Sequence, residues 1–173
     1  NCWFLTTLSG VYGFDTSNVQ NMKNMFFACQ ELERLDLGNW NTGNVTNMEA
    51  MFQNCYKLST LTSNFDTSKV ENMSYMFYSC KKLTRLNVDN WNTENVTTMQ
   101  SLFYDCNELT SLDVSNWNVG KVTNMQSTFN GCNKLKVIDV SNWSNNVVTT
   151  MRQTFYQCNV VEELDLHGFG VAN

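Results

Sequence analysis

Seven cysteines, sixteen carboxylates and one histidine are the residues of this chain best equipped for chemistry. The cysteines fall at Cys2, Cys29, Cys55, Cys80, Cys106, Cys132 and Cys158, spaced 27, 26, 25, 26, 26 and 26 residues apart. So regular a file brings three chemistries to mind. Stacked thiols at a Cα separation of about 4.4–6.8 Å could pair as disulfides, but an odd number leaves one over. Zinc needs tetrahedral convergence, which a linear file without C-x-x-C does not supply. Each cysteine ends an apolar stripe, where a free thiol behaves as a small buried hydrophobe. Buried free thiols are therefore expected. His167 has no repeated partner, and no Ser/His/Asp, Cys/His or phosphate-loop arrangement occurs. No catalytic residue, cofactor or metal site is expected.

The carboxylates are more suggestive. One slot of the repeat holds Asp36, Thr62, Asn87, Asp113, Asp139 and Asp165. Carboxylates stacked about 5 Å apart repel unless hydrogen-bonded or bridged by a cation. Such a stripe could recognise a partner or hold Ca²⁺, or it could be a solvated file among serines. The solvated reading is preferred to the metal one. As a partner surface the stripe is the best candidate, because its flanks vary from unit to unit. The candidate residues are Arg34, Asp36, Arg85, Asn87, Asp89, Asp113, Ser115, Asp139, Ser141, Glu163, Asp165 and His167.

Positioning these residues requires a repeated element. Phe26, Phe52, Phe77, Phe103, Phe129 and Phe155 each precede a cysteine by three. Other files hold Phe14, Trp40, Phe65, Trp91, Trp117, Trp143 and Phe169, and Val19 to Val148, and Met22 to Met151. A fixed period near 26 residues signals a solenoid. From Val45 to Cys55 the apolar residues lie at offsets 0, 3, 6, 7 and 10. At about 100° per residue these share an arc of about 120°, which predicts a short helix with Thr46 or Asn47 at its start. Leu35-Asp36-Leu37 alternates with period two and predicts a strand. Asn39-Trp40-Asn41-Thr42 predicts a turn, with Asp15, Asn41, Asp66, Asn92 and Asn118 in one Asx position.

One unit cannot bury its own stripe, but stacked units can. The expected architecture is α/β: a right-handed leucine-rich-repeat solenoid. It has a parallel sheet on one face and short helices on the other, in about six to seven repeats of 25–27 residues. Residues 1–173 form one domain, and because the chain begins Asn1-Cys2-Trp3 and not with Met it is read as a processed chain or an excerpt of a longer repeat array. An extra residue between Leu8 and Phe14, and a missing one between Leu61 and Phe65, predict local sheet irregularity with the helices undisturbed. Leu102, Thr128 and Thr154 replace Met in one slot, which predicts a wetter seam toward the C-terminus. The exposed file Asn39, Asn64, Asn90, Asn116 and Asn142 suggests an amide ladder.

The pattern L-x-x-L-D-V-S-N-W-N-T-x-N-V-T-x-M-x-x-x-F-x-x-C resembles the BspA-type leucine-rich repeats of bacterial surface proteins, which also occur in mycoplasma surface lipoproteins. Leu83 to Cys106 and Leu109 to Cys132 carry it best, and the likeness extends from Cys2 to about Phe169. The resemblance implies an extracellular, cell-surface protein used in adhesion or host interaction, without catalytic residues.

Net charge of −5 and a pI near 4.8 argue against nucleic acid and against anionic membranes. No apolar run is long enough to span a bilayer. The expected function is a non-enzymatic scaffold for adhesion or protein–protein recognition, with a host or matrix protein or a glycan as partner. The alternative is a structural solenoid that self-associates head-to-tail through open ends into filaments or surface layers. A more remote reading is ice binding by ordered threonine and asparagine files, such as Thr42, Thr67 and Thr93, which fails at Val119.

Overall fold

The computed structural model describes residues 2–169. Its construction follows from where the backbone hydrogen bonds of a short repeat can go. In the unit that contains Trp40, strand β1 (Arg34–Leu37) turns Leu35 and Leu37 inward and Arg34 and Asp36 outward. The next unit contributes β2 (Thr60–Ser63), parallel to β1 with Arg34 opposite Thr60 and Leu37 opposite Ser63. After the strand the chain turns on three side-chain carbonyl or carboxylate oxygens. Asp36 accepts the Gly38 amide at 3.0 Å, Asn41 that of Gly43 at 3.1 Å and Asn47 that of Glu49 at 2.8 Å. The second is the Asx turn that the sequence predicts, and the one at Asp36 adds to it.

The expected helices are not there. Among the described residues the one helical element is a single 3₁₀ turn, Val11–Gly13. The segment from Val45 to Cys55 is instead a chain of β-turns. Met51 donates to the Met48 carbonyl, Gln53 to Ala50 and Cys55 to Phe52, at 3.1–3.2 Å. The alternate amides go elsewhere. Met48, Ala50, Phe52 and Asn54 donate to Asn72, Ser74, Met76 and Tyr78 of the following unit, at 2.8–3.0 Å. Overlapping turns begin at every second residue, and they place the same side chains inward as a helix would. Val45, Met48, Met51, Phe52 and Cys55 are all fully buried. Beyond its first turn a helix would consume its amides internally, and one this short is marginal in water. The turn ladder ties each unit to its neighbour instead.

The ladder has a conformational cost. Two residues per unit sit in the left-handed region: Ala50 (φ 55°) and Asn54 (φ 63°) here, Ser101 (φ 52°) and Asp105 (φ 60°) two units on. Non-glycine residues lose roughly 1–2 kcal/mol there. Only Gly131 (φ 80°), in the slot of Asn54 and Asp105, avoids that loss.

The sheet is less continuous than expected. All pairings are parallel, but beyond β2 the strand ladder survives only as the isolated bridge Arg85–Ser111 among the described residues, whereas single bridges from Asn21 through Asn47, Asn72, Thr98 and Asn124 to Thr150 run unbroken on the turn side. The break follows β2, where a residue is missing between Leu61 and Phe65. The turn ladder crosses the same place intact, with Met73 donating to Thr98 and Phe77 to Leu102. The extra residue after Leu8 is absorbed by the 3₁₀ turn, entered through Gly10 at φ 79°.

Side chains of one slot stack along the interior. The phenylalanine rings from Phe26 to Phe155 follow one another at 5.2–5.8 Å. Trp91, Trp117 and Trp143 stack at 5.9 and 6.2 Å. The indole N–H groups of Trp117 and Trp143 donate to the carbonyls of Val88 and Val114 in the preceding unit. The cysteines are free thiols. Those of Cys55, Cys80, Cys106 and Cys132 donate to the carbonyls of Phe26, Phe52, Phe77 and Phe103 at 3.1–3.3 Å. Val148, Met151, Phe155 and Cys158 of the last unit are only partly buried, but the threonines of the seam do not open it. Thr128 and Thr154 are about as buried as the Met residues they replace, and their hydroxyls donate to the Met99, Met125 and Met151 carbonyls. No buried side-chain N or O lacks a partner among the described residues.

Two outcomes follow from this interior. Burial pushes the thiols up, Cys55 to about 12 and Cys158 to about 11, with Cys80, Cys106 and Cys132 well above their usual value. The folded chain therefore holds protons that the unfolded chain releases near pH 9. The thiol contribution to stability is complete below that pH and declines as the pH rises from about 9 toward the folded values. Each fully buried thiol should cost about 1.4 kcal/mol per pH unit in that window. Denaturant melts at pH 8, 9 and 10 should show a steep alkaline fall, and a flat profile would contradict the buried file. Replacing Ala50 or Ser101 by Gly should raise the melting temperature by a few degrees, since relief of the left-handed backbone outweighs the entropy of Gly by up to about 1 kcal/mol. In a helix the same change would lower it.

Candidate functional site

Outward residues of the strand segments form one exposed face. Arg34 and Asp36 lie on β1, Arg85 at an isolated bridge, and Asn87, Asp89, Asp113, Asp139, Glu163, Asp165 and His167 follow, all exposed. Ser115 and Ser141 are partly covered. The structure thus brings the sequence-derived candidates onto one surface. The carboxylates are held by the backbone two residues on. Asp113 accepts the Ser115 amide at 3.1 Å and its hydroxyl at 2.6 Å, and Asp139 does the same with Ser141 at 3.1 and 2.7 Å. Asp165 accepts the His167 amide at 3.0 Å and contacts its ring nitrogen at 2.5 Å.

These bonds account for how three acids tolerate their neighbours. The Ser115 hydroxyl and amide hold the Asp113 carboxyl below its usual range, and the His167 amide and ring do the same for Asp165. Asn87 makes the corresponding turn with Asp89 at 3.3 Å, so the slot needs an acceptor oxygen and not a charge. That is the local reason the file mixes Asp with Asn. Among the described residues no cluster of acids, cysteines and histidine is arranged to hold a metal ion.

Where the strand ladder lapses, hollows open between successive strand segments. One of about 510 Å³ lies between Thr110–Ser115 and Lys136–Asp139, with Leu112 and Val137 on its walls. A second, about 300 Å³, continues between Val137–Ser141 and Glu163–Asp165. A third, about 200 Å³, lies on the other side, between Leu86–Asp89 and Ser111–Asp113. Val137 is 64% exposed between Asp113 and Asp139, an apolar side chain flanked by charge. The chain thus offers an uneven, acid-edged groove.

Two other files from the sequence have different roles. Thr42, Thr67 and Thr93 are only 1% exposed and donate to the Asp66, Asn92 and Asn118 carbonyls of the next unit. A buried hydroxyl file cannot present itself to ice. The exposed asparagine file carries one amide-to-amide bond, Asn90 to Asn64 at 3.2 Å.

A surface that sequence reasoning missed lies on the turn side. Tyr78 and Tyr104 stack at 4.6 Å with planes 5° apart, and Tyr75 leans on Tyr78 at 6.0 Å and 56°. Lys81 sits 5.5 Å over the Tyr56 ring and 3.3 Å from Asp105. Burial, with the neighbouring phenols and Asp105, raises the Tyr78 hydroxyl above its usual value. The signal was available: Tyr75 stands in a slot that other units fill with Asn24, Ala50, Ser101, Ser127 and Gln153, and the slot of Tyr78 and Tyr104 is aromatic again at Phe27 and Tyr156.

A family model described as "Mycoplasma protein of unknown function, DUF285" matches residues 4–87 and again 81–173. The BspA-type designation is not part of that match. No curated protein matches the chain. Among solved structures, a leucine-rich repeat protein of T. pallidum is similar at 17% identity and a TM-score of 0.43, over 84% of this chain and 72% of that one.

Replacing Asp113 and Asp139 by Asn should leave folding intact, because Asn87 already supports the same turn. Replacement by Ala removes the acceptor and should cost about 1 kcal/mol per site. Thermal melts of the two series separate the turn from the charge; equal losses in both would show that the turn bonds contribute nothing.

Proposed function

Because the chain belongs to the DUF285 family of mycoplasma proteins of unknown function, we propose from its own geometry that it is a non-enzymatic, extracellular recognition scaffold at the cell surface. It engages a protein partner through the strand face. The observation that carries this reading is the division of labour within each unit. Slots that face inward repeat almost unchanged and are filled by Phe, Trp, Val, Met, Leu and Cys. Slots on the strand face, such as Arg34, Arg85, Ser111, Val137 and Glu163, change from unit to unit while their backbone position does not. Solenoids use extended surfaces of this kind for binding.

The groove favours a protein over a small molecule. It is open, spans several units and mixes an exposed Val137 with Asp113, Asp139 and Asp165. Apolar contact at the centre with charge at the rim is the usual anatomy of a protein interface. The acids favour a basic patch on the partner, and steering by charge makes association depend on salt.

The test is binding to a panel of immobilised matrix proteins and glycans, read by biolayer interferometry. A chain carrying Asp113→Asn, Asp139→Asn and Asp165→Asn keeps the turns and loses the charge. It should bind its partner at least tenfold more weakly, mainly through slower association. Undiminished binding would remove the strand face from consideration. A concentration-dependent rise in mass without partner binding would favour self-association.

A further inference from the structure

We propose that the hollow between the Asp113 and Asp139 segments is a socket for one arginine side chain, carried by an otherwise uncharged stretch of the partner. The inference rests on the strand-face reading and names what that face recognises. The hollow exists because the strand ladder lapses here. The bridge Arg85–Ser111 has no counterpart between Ser111 and Val137 among the described residues. The space that opens, about 510 Å³, has Leu112 on one segment and Val137 on the other. A singly exposed valine is ordinary on a protein surface. Val137, however, lines this hollow and the adjoining one, in a slot that other units fill with Arg34, Thr60, Arg85, Ser111 and Glu163. The fold therefore does not call for an apolar side chain at this place.

Charge complementarity selects the occupant. Asp113 and Asp139 line the hollow one unit apart, and the stacked indoles of the same two units, Trp117 and Trp143, are separated by 6.2 Å. Each carboxylate gives one oxygen, Oδ1, to both the amide and the hydroxyl of the serine two residues on. That pins the side chain and leaves Oδ2 outside the turn. The ion pairs among the described residues join Lys23 to Glu49, Lys57 to Glu31, Lys81 to Asp105, Lys134 to Glu108 and His167 to Asp165. Asp165 is thus answered within the chain, and Asp113 and Asp139 are not.

Two pinned carboxylates one unit apart suit a guanidinium between them. Its planar fork has donors on several edges and can bond both acids at about 2.8 Å. Its aliphatic stem packs on Leu112 and Val137 on the way in. An ammonium is a more strongly hydrated point charge and gains less beside such a wall. Lys136 limits how much basic charge can enter. It lines the same hollow three residues before Asp139, about 10 Å along an extended segment, and takes part in none of those ion pairs. A run of basic residues would meet its charge, whereas a single arginine at the acidic end would not.

The experiment titrates the intact chain with a neutral, capped peptide carrying one central arginine, following valine methyl resonances by NMR and heat by calorimetry. Peptides with lysine or citrulline in its place serve as controls. Saturable binding of the arginine peptide is expected, about tenfold weaker with citrulline and severalfold weaker with lysine. Val137→Ser installs the residue that the preceding unit uses in that slot and keeps both carboxylates and their turns. It should leave the melting temperature unchanged and weaken arginine-peptide binding about threefold. Asp113→Asn with Asp139→Asn keeps the turns, as Asn87 does, and should abolish the preference for arginine over citrulline. No saturable binding at millimolar concentration, equal binding of the citrulline peptide, or undiminished binding by either variant would each overturn the proposal. A protein partner that binds through the strand-face acids while the arginine peptide does not bind would remove the socket and keep the strand face. Arginine binding with no protein partner in the panel would do the reverse, so the two failures are distinguishable.

Discussion

Every second amide of the turn ladder must find its carbonyl in the next unit. That constraint organises the molecule. Met48 reaches Asn72, Ala50 reaches Ser74 and Phe52 reaches Met76, and the series repeats in register along the chain. A unit of about 26 residues cannot form a core alone, and here it cannot complete its own hydrogen bonds either. Both deficits are met by the same neighbour. The stacked phenylalanines, the buried threonines and the thiol donors all follow from that fixed register, because equivalent atoms then lie one unit apart. Stability in such an array is a sum over nearest-neighbour contacts, and interior units gain on both sides.

The period and the inward positions were legible in the sequence, and the backbone conformation was not. Offsets of three and four identify Val45, Met48, Met51, Phe52 and Cys55 as buried whether the chain coils as a helix or reverses through successive turns. What separates the two is the residue that must sit at positive φ. Asn24, Asn54, Asp105 and Gly131 tolerate it by type, but Ala28, Ala50 and Gln153 do not announce it. Pair charges at helical spacing, which would have supported a helix, are also few in a chain with 16% charged residues. The exposed ion pairs run between units instead, as Lys57 with Glu31 and Lys134 with Glu108 do.

The strand face shows a similar limit. Alternation states which side chain points inward, and Asp36, Asp113, Asp139 and Asp165 do point outward. It does not state whether neighbouring segments bond to each other. That depends on length between anchor points, and the one-residue deletion before Phe65 coincides with the end of the regular sheet. The stack of Tyr78 on Tyr104 was legible too, since their slot is aromatic again at Phe27 and Tyr156, but it lies outside the inward apolar offsets on which the reading concentrated.

This contrast bears on how such a chain can change its partner without losing its fold. Inward slots are coupled to two neighbours each, so a single misfit there disturbs three units. Outward slots on the strands, such as Arg34, Arg85 and Val137, are exposed. Their backbone is fixed by Asx turns that accept Asp or Asn alike, and by a ladder that accepts Ala, Tyr or Ser at the same φ. Binding specificity can then be altered one unit at a time, with the free energy of the stack nearly unchanged. The geometry that makes the interior so repetitive is what leaves the surface free to vary.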